Sequence, residues 1–203
     1  MANPELTPDL IQKALAHNPE RHYEHLSNLI PENEIRVLNK AAVILPMLQK
    51  RNAWHLLMTV RSEKLSEHRG QVAFPGGVQE YQDQNLRDTA LREMAEEIGV
   101  VPYEVDVFGH LGDMPVITGY CVRPFVGQIP WPYPIRISGE EVEDVFTVPL
   151  GWLSNPENRY IEYRSIAGRE FPVTFFKHYE GHQLWGASAE MTLALLRALG
   201  LTD

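Results

Sequence analysis

Residues 70–100 read GQVAFPGGVQEYQDQNLRDTALREMAEEIGV, and this stretch decides how the chain folds. It begins as a strand, turns at Pro75-Gly76-Gly77, crosses a polar loop and enters a helix. At about 100° per residue, three acids of this helix fall within an arc of roughly 100°: Glu93, Glu96 and Glu97. Four apolar residues occupy the opposite arc: Leu91, Met94, Ala95 and Ile98. The spacing predicts a helix that packs by its apolar face and presents its acids outward or into a cleft.

The clustering of the three glutamates points to a cation. Like charges three and four residues apart on an isolated helix repel one another by a few tenths of a kcal/mol per pair. A divalent cation would offset this repulsion, since oxygen ligands clustered without histidine or thiolate suit Mg²⁺, Mn²⁺ or Ca²⁺. A solvated acidic helix face is the alternative explanation of the same pattern.

Composition restricts the class of protein. The chain has 203 residues, and 18 Lys and Arg against 27 Asp and Glu give a formal net charge of −9. Non-specific binding to nucleic acid or anionic lipid is therefore not expected. The single cysteine, Cys121, fits a reducing compartment, the first residues lack the layout of a signal peptide, and no apolar run reaches the roughly 20 residues of a membrane helix. We expect a cytoplasmic protein with a small-molecule partner, no nucleic acid and no membrane; a homodimer is left open.

The rest of the sequence predicts an α+β domain preceded by a helical extension. Thr7-Pro8-Asp9 is typical of a helix start, and residues 1–34 are assigned to the extension. Within residues 35–203, alternation and β-branched content predict strands at 35–45, 54–60, 72–74, 105–111, 120–126, 145–148, 160–163 and 171–178. Long helices are predicted only at 86–98 and 185–199, so a mixed central sheet is favoured over a repeated βαβ unit.

The stretch at 70–100 resembles the Nudix box. The family pattern is Gly, five residues, Glu, seven residues, then Arg-Glu-apolar-any-Glu-Glu-any-Gly-apolar. Gly77 supplies the glycine, and residues 92–100, REMAEEIGV, match the second half at every specified position. Asp83 stands where the first glutamate belongs, and eight residues rather than seven separate it from Arg92. The resemblance implies that residues 35–203 form a Nudix hydrolase domain, an α/β/α sandwich around a mixed β-sheet.

Two upstream segments resemble the signature of Nudix enzymes that hydrolyse coenzyme A: residues 57–62, LMTVRS, and 70–77, GQVAFPGG. Met58 replaces a leucine of that signature, and Ser66 stands where an arginine is usual. The implied reaction is metal-dependent hydrolysis of the diphosphate bond of coenzyme A or its derivatives, yielding 3′,5′-ADP and 4′-phosphopantetheine. ADP-ribose, NADH and dinucleoside polyphosphates are alternative substrates. A non-catalytic nucleotide-sensing module is an alternative of another class, although such modules usually lack one of the box acids.

The resemblance also implies site residues. Four groups would bind Mg²⁺ or Mn²⁺: the carbonyl of Gly76 and the carboxylates of Glu93, Glu96 and Glu97. Glu93 and Glu97 are thereby catalytic, together with Arg92, which would pair with nearby acids and orient the helix. Asp83 would tether the loop to that network. For Arg92 an ordinary surface ion pair is the alternative.

The base that takes the proton from water varies across the superfamily. Three acids follow Gly139 in a loop where several Nudix enzymes place a mobile acid: Glu140, Glu141 and Glu143. We assign the catalytic role to Glu141, against the alternative of a solvated acidic turn and with Glu93 as the next candidate.

Three cations near the box are assigned to binding the substrate's phosphates: Arg61, Lys64 and Arg69. The alternative is that they pair only with Glu63 or Glu67. The segment 131–134, WPYP, could stack on an adenine, but a rigid connecting loop is the favoured interpretation.

Overall fold

The computed structural model describes residues 6–17, 38–66, 68–116, 118–166 and 169–203. Its α-helices are α1 Pro8–Leu15, α2 Leu86–Ile98, α3 Leu150–Ser154 and α4 Gly186–Ala198. Its strands are β1 Asn39–Lys50, β2 Ala53–Arg61, β3 Val72–Ala73, β4 Gly76–Val78, β5 Asp106–His110, β6 Met114–Val116, β7 Tyr120–Gln128, β8 Val142–Pro149, β9 Arg159–Ile166 and β10 Arg169–Phe176. Short 3₁₀ helices lie at Pro102–Glu104 and Pro156–Asn158.

Eight of the described strands form one mixed sheet, and the other two form a separate hairpin. The sheet runs in the order β3-β2-β1-β7-β5, with β8 also paired to β2, β4 to β1 and β6 to β7. β1 and β7 are parallel, whereas the other pairs are antiparallel. The hairpin pairs β9 with β10 from Arg159 opposite Phe176 to Ile166 opposite Arg169.

The two faces of the sheet carry separate cores, because successive side chains of a strand point to opposite faces. α2 covers one face, in a core that includes Ala42, Ile44, Leu48, Leu57, Met94 and Ile98. α1, α3 and α4 cover the other, in a core that includes Ile11, Leu45, Met47, Met58, Leu153 and Leu195. The predicted α+β class, with an α/β/α sandwich around a mixed sheet, is confirmed.

α1 belongs to the second of these cores. The Thr7 hydroxyl accepts a hydrogen bond from the backbone N–H of Leu10 at 3.4 Å, so the predicted helix start is present. Ile11 and Leu15 are buried, and the Trp54 indole donates to the carbonyl of Leu6 at 2.8 Å. The first helix of the predicted extension therefore packs on the sheet, while residues 18–34 lie outside the described residues.

Sequence patterns located the long elements and the short β3, and missed other short elements. The strand predicted at 145–148 begins at Val142, and the helix predicted at 185–199 runs Gly186–Ala198. β4, β6 and α3 were not expected, because segments of three to five residues are too short for periodicity to register. Within the described part of the chain, no helix has the length and apolar character needed to cross a membrane.

Candidate active site

α2 is held at both ends by its own sequence. The Asn85 side chain accepts hydrogen bonds from the backbone N–H groups of Arg87 at 2.9 Å and Asp88 at 3.1 Å. Gly99 ends the helix in the left-handed region, with φ of 73°, where glycine is favoured. The buried face includes Ala90, Leu91, Met94 and Ile98, largely as the periodicity predicts. The opposite side of the helix therefore has a defined position over the turn at Gly76.

The three box glutamates have different environments. Glu96 is exposed, with 58% of its side-chain surface accessible, and Glu93 is half-buried. Glu97 is only 4% exposed, so of the two placements that the spacing allows, outward or into a cleft, it takes the second. The reason is tertiary: the segment after β7 crosses the end of α2, where the backbone N–H groups of Arg136 and Ser138 donate to the carbonyls of Ile98 and Glu97.

Glu93 and Glu97 meet a third acid, Glu141. Each of the three side chains offers a carboxylate oxygen, and these oxygens lie within 4.8 Å of one another. Burial, and then the charge of Glu93, raises the pKa of Glu97 to about 8, which the positive charge of Arg61 partly opposes. Burial also raises the pKa of Glu93, against the effect of Arg92. Three carboxylates this close repel one another strongly unless one of them is protonated or a cation binds between them.

The turn at β4 leaves room for these carboxylates. A Cβ on Gly77 would lie 2.3 Å from Oε1 of Glu93, so any other residue would push into the acid. Gly76 has φ of 157°, and a Cβ there would lie 2.4 Å from the carbonyl oxygen of Ala42. The backbone N–H of Gly76 hydrogen-bonds the Glu97 carboxylate, while Oε2 of Glu97 is buried without a partner. Carboxylate oxygens are the ligands that hard divalent cations prefer, and the unpartnered Oε2 of Glu97 is available to bind one.

Arg92 connects the loop to the acid cluster. Its guanidinium donates to both carboxylate oxygens of Asp83, from Nε at 3.0 Å and Nη2 at 3.1 Å. It also binds Glu96 at 3.0 Å and pairs with Glu93 at 3.0 Å. The hydrogen bond from Arg92 is the main reason why the pKa of Asp83 falls to about 2. The expected pairing is therefore present, and the shorter Asp83 still reaches it across a loop one residue longer than the family pattern.

Backbone hydrogen bonds hold Glu141 beside the end of β2. Its carbonyl accepts from the N–H of Ser62 at 2.9 Å, and its own N–H donates to the carbonyl of Ser138 at 3.1 Å. The described carboxylates grouped with Glu93 and Glu97 include Glu141 but neither Glu140 nor Glu143, both of which are exposed. The acidic loop predicted from sequence thus supplies one acid to the site.

The cations assigned to the substrate lie at the same end of β2. The N–H of Arg61 donates to the carbonyl of Gln71, and that of Gly70 donates to the carbonyl of Arg61, both at 3.0 Å. These bonds bring Arg69 back towards the end of the strand. Arg61 has a buried Nε without a partner, Lys64 donates to the carbonyl of Gly139 at 3.0 Å, and Arg69 is exposed.

The segment 131–134 is held by other contacts. The Tyr133 hydroxyl accepts from the N–H of Val101 at 3.1 Å and donates to Glu104. The ammonium of Lys50 lies 5.8 Å from the ring centre of Trp131. These contacts tie the segment to its neighbours, and its assignment as a rigid connecting loop stays a prediction.

Comparison with known proteins identifies the family. A family model described as a NUDIX domain matches residues 38–168. Over 181 residues the chain is 35% identical to the uncharacterized Nudix hydrolase NudL of Escherichia coli O1:K1 / APEC, covering 85% of this chain and 88% of that protein. The chain belongs to the Nudix hydrolase family, whose enzymes act on phosphoric anhydride bonds and generally need divalent metals. It is thus a hydrolase acting on a nucleoside diphosphate derivative.

Solved structures show further likenesses. A MutT/nudix family protein from Enterococcus faecalis is 14% identical, with a TM-score of 0.49 over 95% of this chain and 73% of that chain. A C. elegans Ap4A hydrolase in a binary complex is 16% identical, with a TM-score of 0.47 over 56% of this chain and 81% of that chain. The NUDIX domain of Shewanella oneidensis NrtR, complexed with ADP ribose, is 20% identical, with a TM-score of 0.44 over 62% of this chain and 82% of that chain.

Proposed function

We propose that the chain is a metal-dependent coenzyme A diphosphatase, which hydrolyses coenzyme A or a derivative to 3′,5′-ADP and 4′-phosphopantetheine. The observation that carries the hydrolytic part is the group of carboxylates from Glu93, Glu97 and Glu141, with one oxygen of Glu97 left without a partner. The assignment to coenzyme A rests on the resemblance of segments 57–62 and 70–77. A sensing module without turnover is disfavoured, because all three box acids are present.

The donor set suits Mg²⁺ or Mn²⁺. Glu93 and Glu97 would hold the cation together with the Gly76 carbonyl, and Glu96, which now binds Arg92, would join from the exposed side. A cation bound here would offset the negative charge of the diphosphate oxygens and acidify the attacking water. Binding would also displace the proton that burial favours on Glu97.

The protein's own groups perform the remaining tasks. Glu141 is exposed at the edge of the cluster and would accept the proton of the attacking water. Arg92, through its bonds to Asp83 and Glu93, keeps α2 and the preceding loop in register, which fixes the carboxylates before substrate arrives. We therefore assign Arg92 the role of orienting the carboxylates of the site.

Arg61, Lys64 and Arg69 are proposed to bind the substrate's phosphates. Beside them a groove of about 270 Å³ is lined by residues of the Ser62–Lys64 segment and of the 137–143 segment, including Ile137 and Val142. Its lining combines the apolar Ile137 and Val142 with the charged Glu63, Lys64 and Glu143, and the two acids disfavour a second nucleotide phosphate there. The groove therefore favours a pantetheine arm on one side of the diphosphate.

We also propose that the hydrolase domain comprises residues 35–203 and that residues 1–34 are an extension whose first helix docks on it. Burial of Ile11 and Leu15 supports the docking. The single cysteine and the acidic composition are compatible with a cytoplasmic location.

A substrate panel tests the proposal. Coenzyme A, 3′-dephospho-coenzyme A, ADP-ribose, NADH and a dinucleoside polyphosphate are compared under Mg²⁺ and Mn²⁺, with products identified by mass spectrometry. A charge-assisted contact to the 3′-phosphate is worth roughly 1.5–3 kcal/mol, so kcat/KM for coenzyme A should exceed that for the dephospho compound about ten- to a hundredfold. Arg69→Ala should narrow this gap.

The dephospho compound is the matched control, since it differs only by the 3′-phosphate. A clear preference for ADP-ribose or a dinucleoside polyphosphate would overturn the assignment to coenzyme A while leaving the diphosphatase chemistry. Absence of hydrolysis of every substrate would favour the sensing module.

A further inference from the structure

The β9-β10 hairpin has a free edge. Among the described residues β9 pairs with β10 alone, so the other side of the strand carries unpaired backbone N–H and C=O groups. β9 is eight residues long, contains neither glycine nor proline, and shows no register shift against β10. Proteins usually protect such an edge with a proline, a bulge, a cover or charged side chains. Of these, β9 has only charges, including Glu162 and Arg164, which pair with each other at 2.6 Å. This edge is suited to pairing with another strand.

Apolar side chains lie along this edge. Ile161 is 62% exposed and Tyr163 is 68% exposed, and both lie on the same face of the hairpin, opposite Thr174 and Pro172 of β10. Single exposed apolar residues are ordinary, but two neighbours on an unpaired strand form a patch that association would bury. On the other face the ring of Tyr160 stacks on Phe175. The exposed apolar surface is thus concentrated on one face of β9.

The charges of β9 are complementary to those of a second copy. In an antiparallel pair related by a twofold axis, residues on the same face lie opposite one another. If the axis passes at Tyr163, Glu162 of each copy lies opposite Arg164 of the other copy. Moving the axis to Glu162 or to Arg164 would set like charges directly opposite, which is destabilising. The axis at Tyr163 is therefore the position that sets Glu162 and Arg164 of the two copies opposite one another.

This register also covers the apolar patch. The two Tyr163 side chains lie side by side at the axis, Ile161 lies opposite Ser165, and each Ile161 is the diagonal neighbour of the other copy's Tyr163. The result is a four-stranded sheet with a continuous apolar centre on one face and two opposite-charge pairs on the other.

We propose that two copies of this chain form a homodimer by antiparallel pairing of their β9 strands about Tyr163. This interface is distinct from the catalytic cluster and does not depend on the proposed substrate.

The oligomeric state of the full chain tests this proposal. Light scattering after size exclusion and sedimentation velocity, at about 1 to 100 µM chain, should report twice the mass of one chain for the wild type. Tyr163→Glu would place two like charges at the axis and should weaken association at least a hundredfold. Tyr103→Glu, at an 87% exposed tyrosine outside the hairpin, is the matched control and should remain dimeric.

Charge exchange provides a test that does not depend on Tyr163. Glu162→Arg and Arg164→Glu should each weaken the dimer, and the double variant should recover it because opposite charges again face one another across the axis. A monomeric wild type at about 100 µM would overturn the proposal. A dimer that Tyr163→Glu leaves unchanged would also overturn it. Equal weakening of the dimer by Tyr163→Glu and by the control Tyr103→Glu would do the same. Failure of the double variant to recover would overturn the register about Tyr163.

Discussion

Replacing Glu97 by glutamine should stabilise the metal-free protein and inactivate the enzyme. Glu97 is buried beside Glu93 and Glu141, and its pKa is raised from the ordinary value of 4.5 to about 8. In the absence of metal, the folded protein therefore holds a proton on Glu97 that the unfolded chain releases above about pH 4.5. Glutamine keeps the size of the side chain and removes this ionisation.

The sign and size of the effect follow from the two pKa values. Because the folded-state pKa is the higher one, the stabilisation is fully present below about pH 4.5 and is lost as the pH rises through about 8. Between these limits the free energy of unfolding falls by about 1.4 kcal/mol per pH unit, which amounts to about 3 kcal/mol at pH 7. Glu97→Gln should recover a large part of that stability in chelator. It should lose most of kcat, since a cation ligand is gone.

Urea unfolding from about pH 5 to pH 8, in chelator and in excess Mg²⁺ or Mn²⁺, measures both effects. Stabilisation of the wild type by metal should grow with pH, because the cation displaces a proton, and the glutamine variant should show little of it. Glu170→Gln, at an exposed carboxylate on β10, is the control and should change stability by less than about 0.5 kcal/mol. A variant less stable than the wild type in chelator at about pH 7, or one with normal kcat, would refute the reasoning.

Three further variants test the rest of the site. Asp83→Asn keeps one of the two oxygens that accept from the Arg92 guanidinium and removes the other together with the negative charge. It should cost about 1.5–3 kcal/mol in urea unfolding near neutral pH, and this difference should vanish as the pH falls through about 2; an unchanged midpoint would contradict it. Gly77→Ala puts a Cβ 2.3 Å from Oε1 of Glu93. Calorimetry should show weaker Mn²⁺ binding while the circular dichroism spectrum stays unchanged. An unchanged Mn²⁺ affinity would show that the turn at Gly77 shifts to make room for the methyl group. Glu141→Gln should lower kcat about a hundredfold or more, whereas the control variant Glu140→Gln, at an exposed residue, should keep a kcat near that of the wild type. Equal losses of kcat in both variants would show that Glu141 is not the base.

Local patterns were enough to predict the catalytic helix and its immediate partners. The spacing of Met94 and Ile98 against Glu93 and Glu96 is a property of any helix with this sequence, and the structure keeps that division. Arg92 and Asp83 lie nine residues apart, so a loop and two turns of helix bring them together. The start of α1 was also predictable, because a helix cap is made by neighbours in the chain.

Only the tertiary structure decided which acids meet and which are buried. Glu97 is enclosed because the 136–141 segment crosses the end of α2, and Glu141 joins it because its carbonyl accepts from Ser62. Those hydrogen bonds join segments far apart in the chain, and no local periodicity encodes them. Among the described residues β9 likewise pairs with β10 alone, and the sequence of the strand does not show which other segments lie beside it. Local sequence patterns therefore predict the helix, its acids and the family, whereas the burial and raised pKa of Glu97 and its meeting with Glu141 arise from long-range packing.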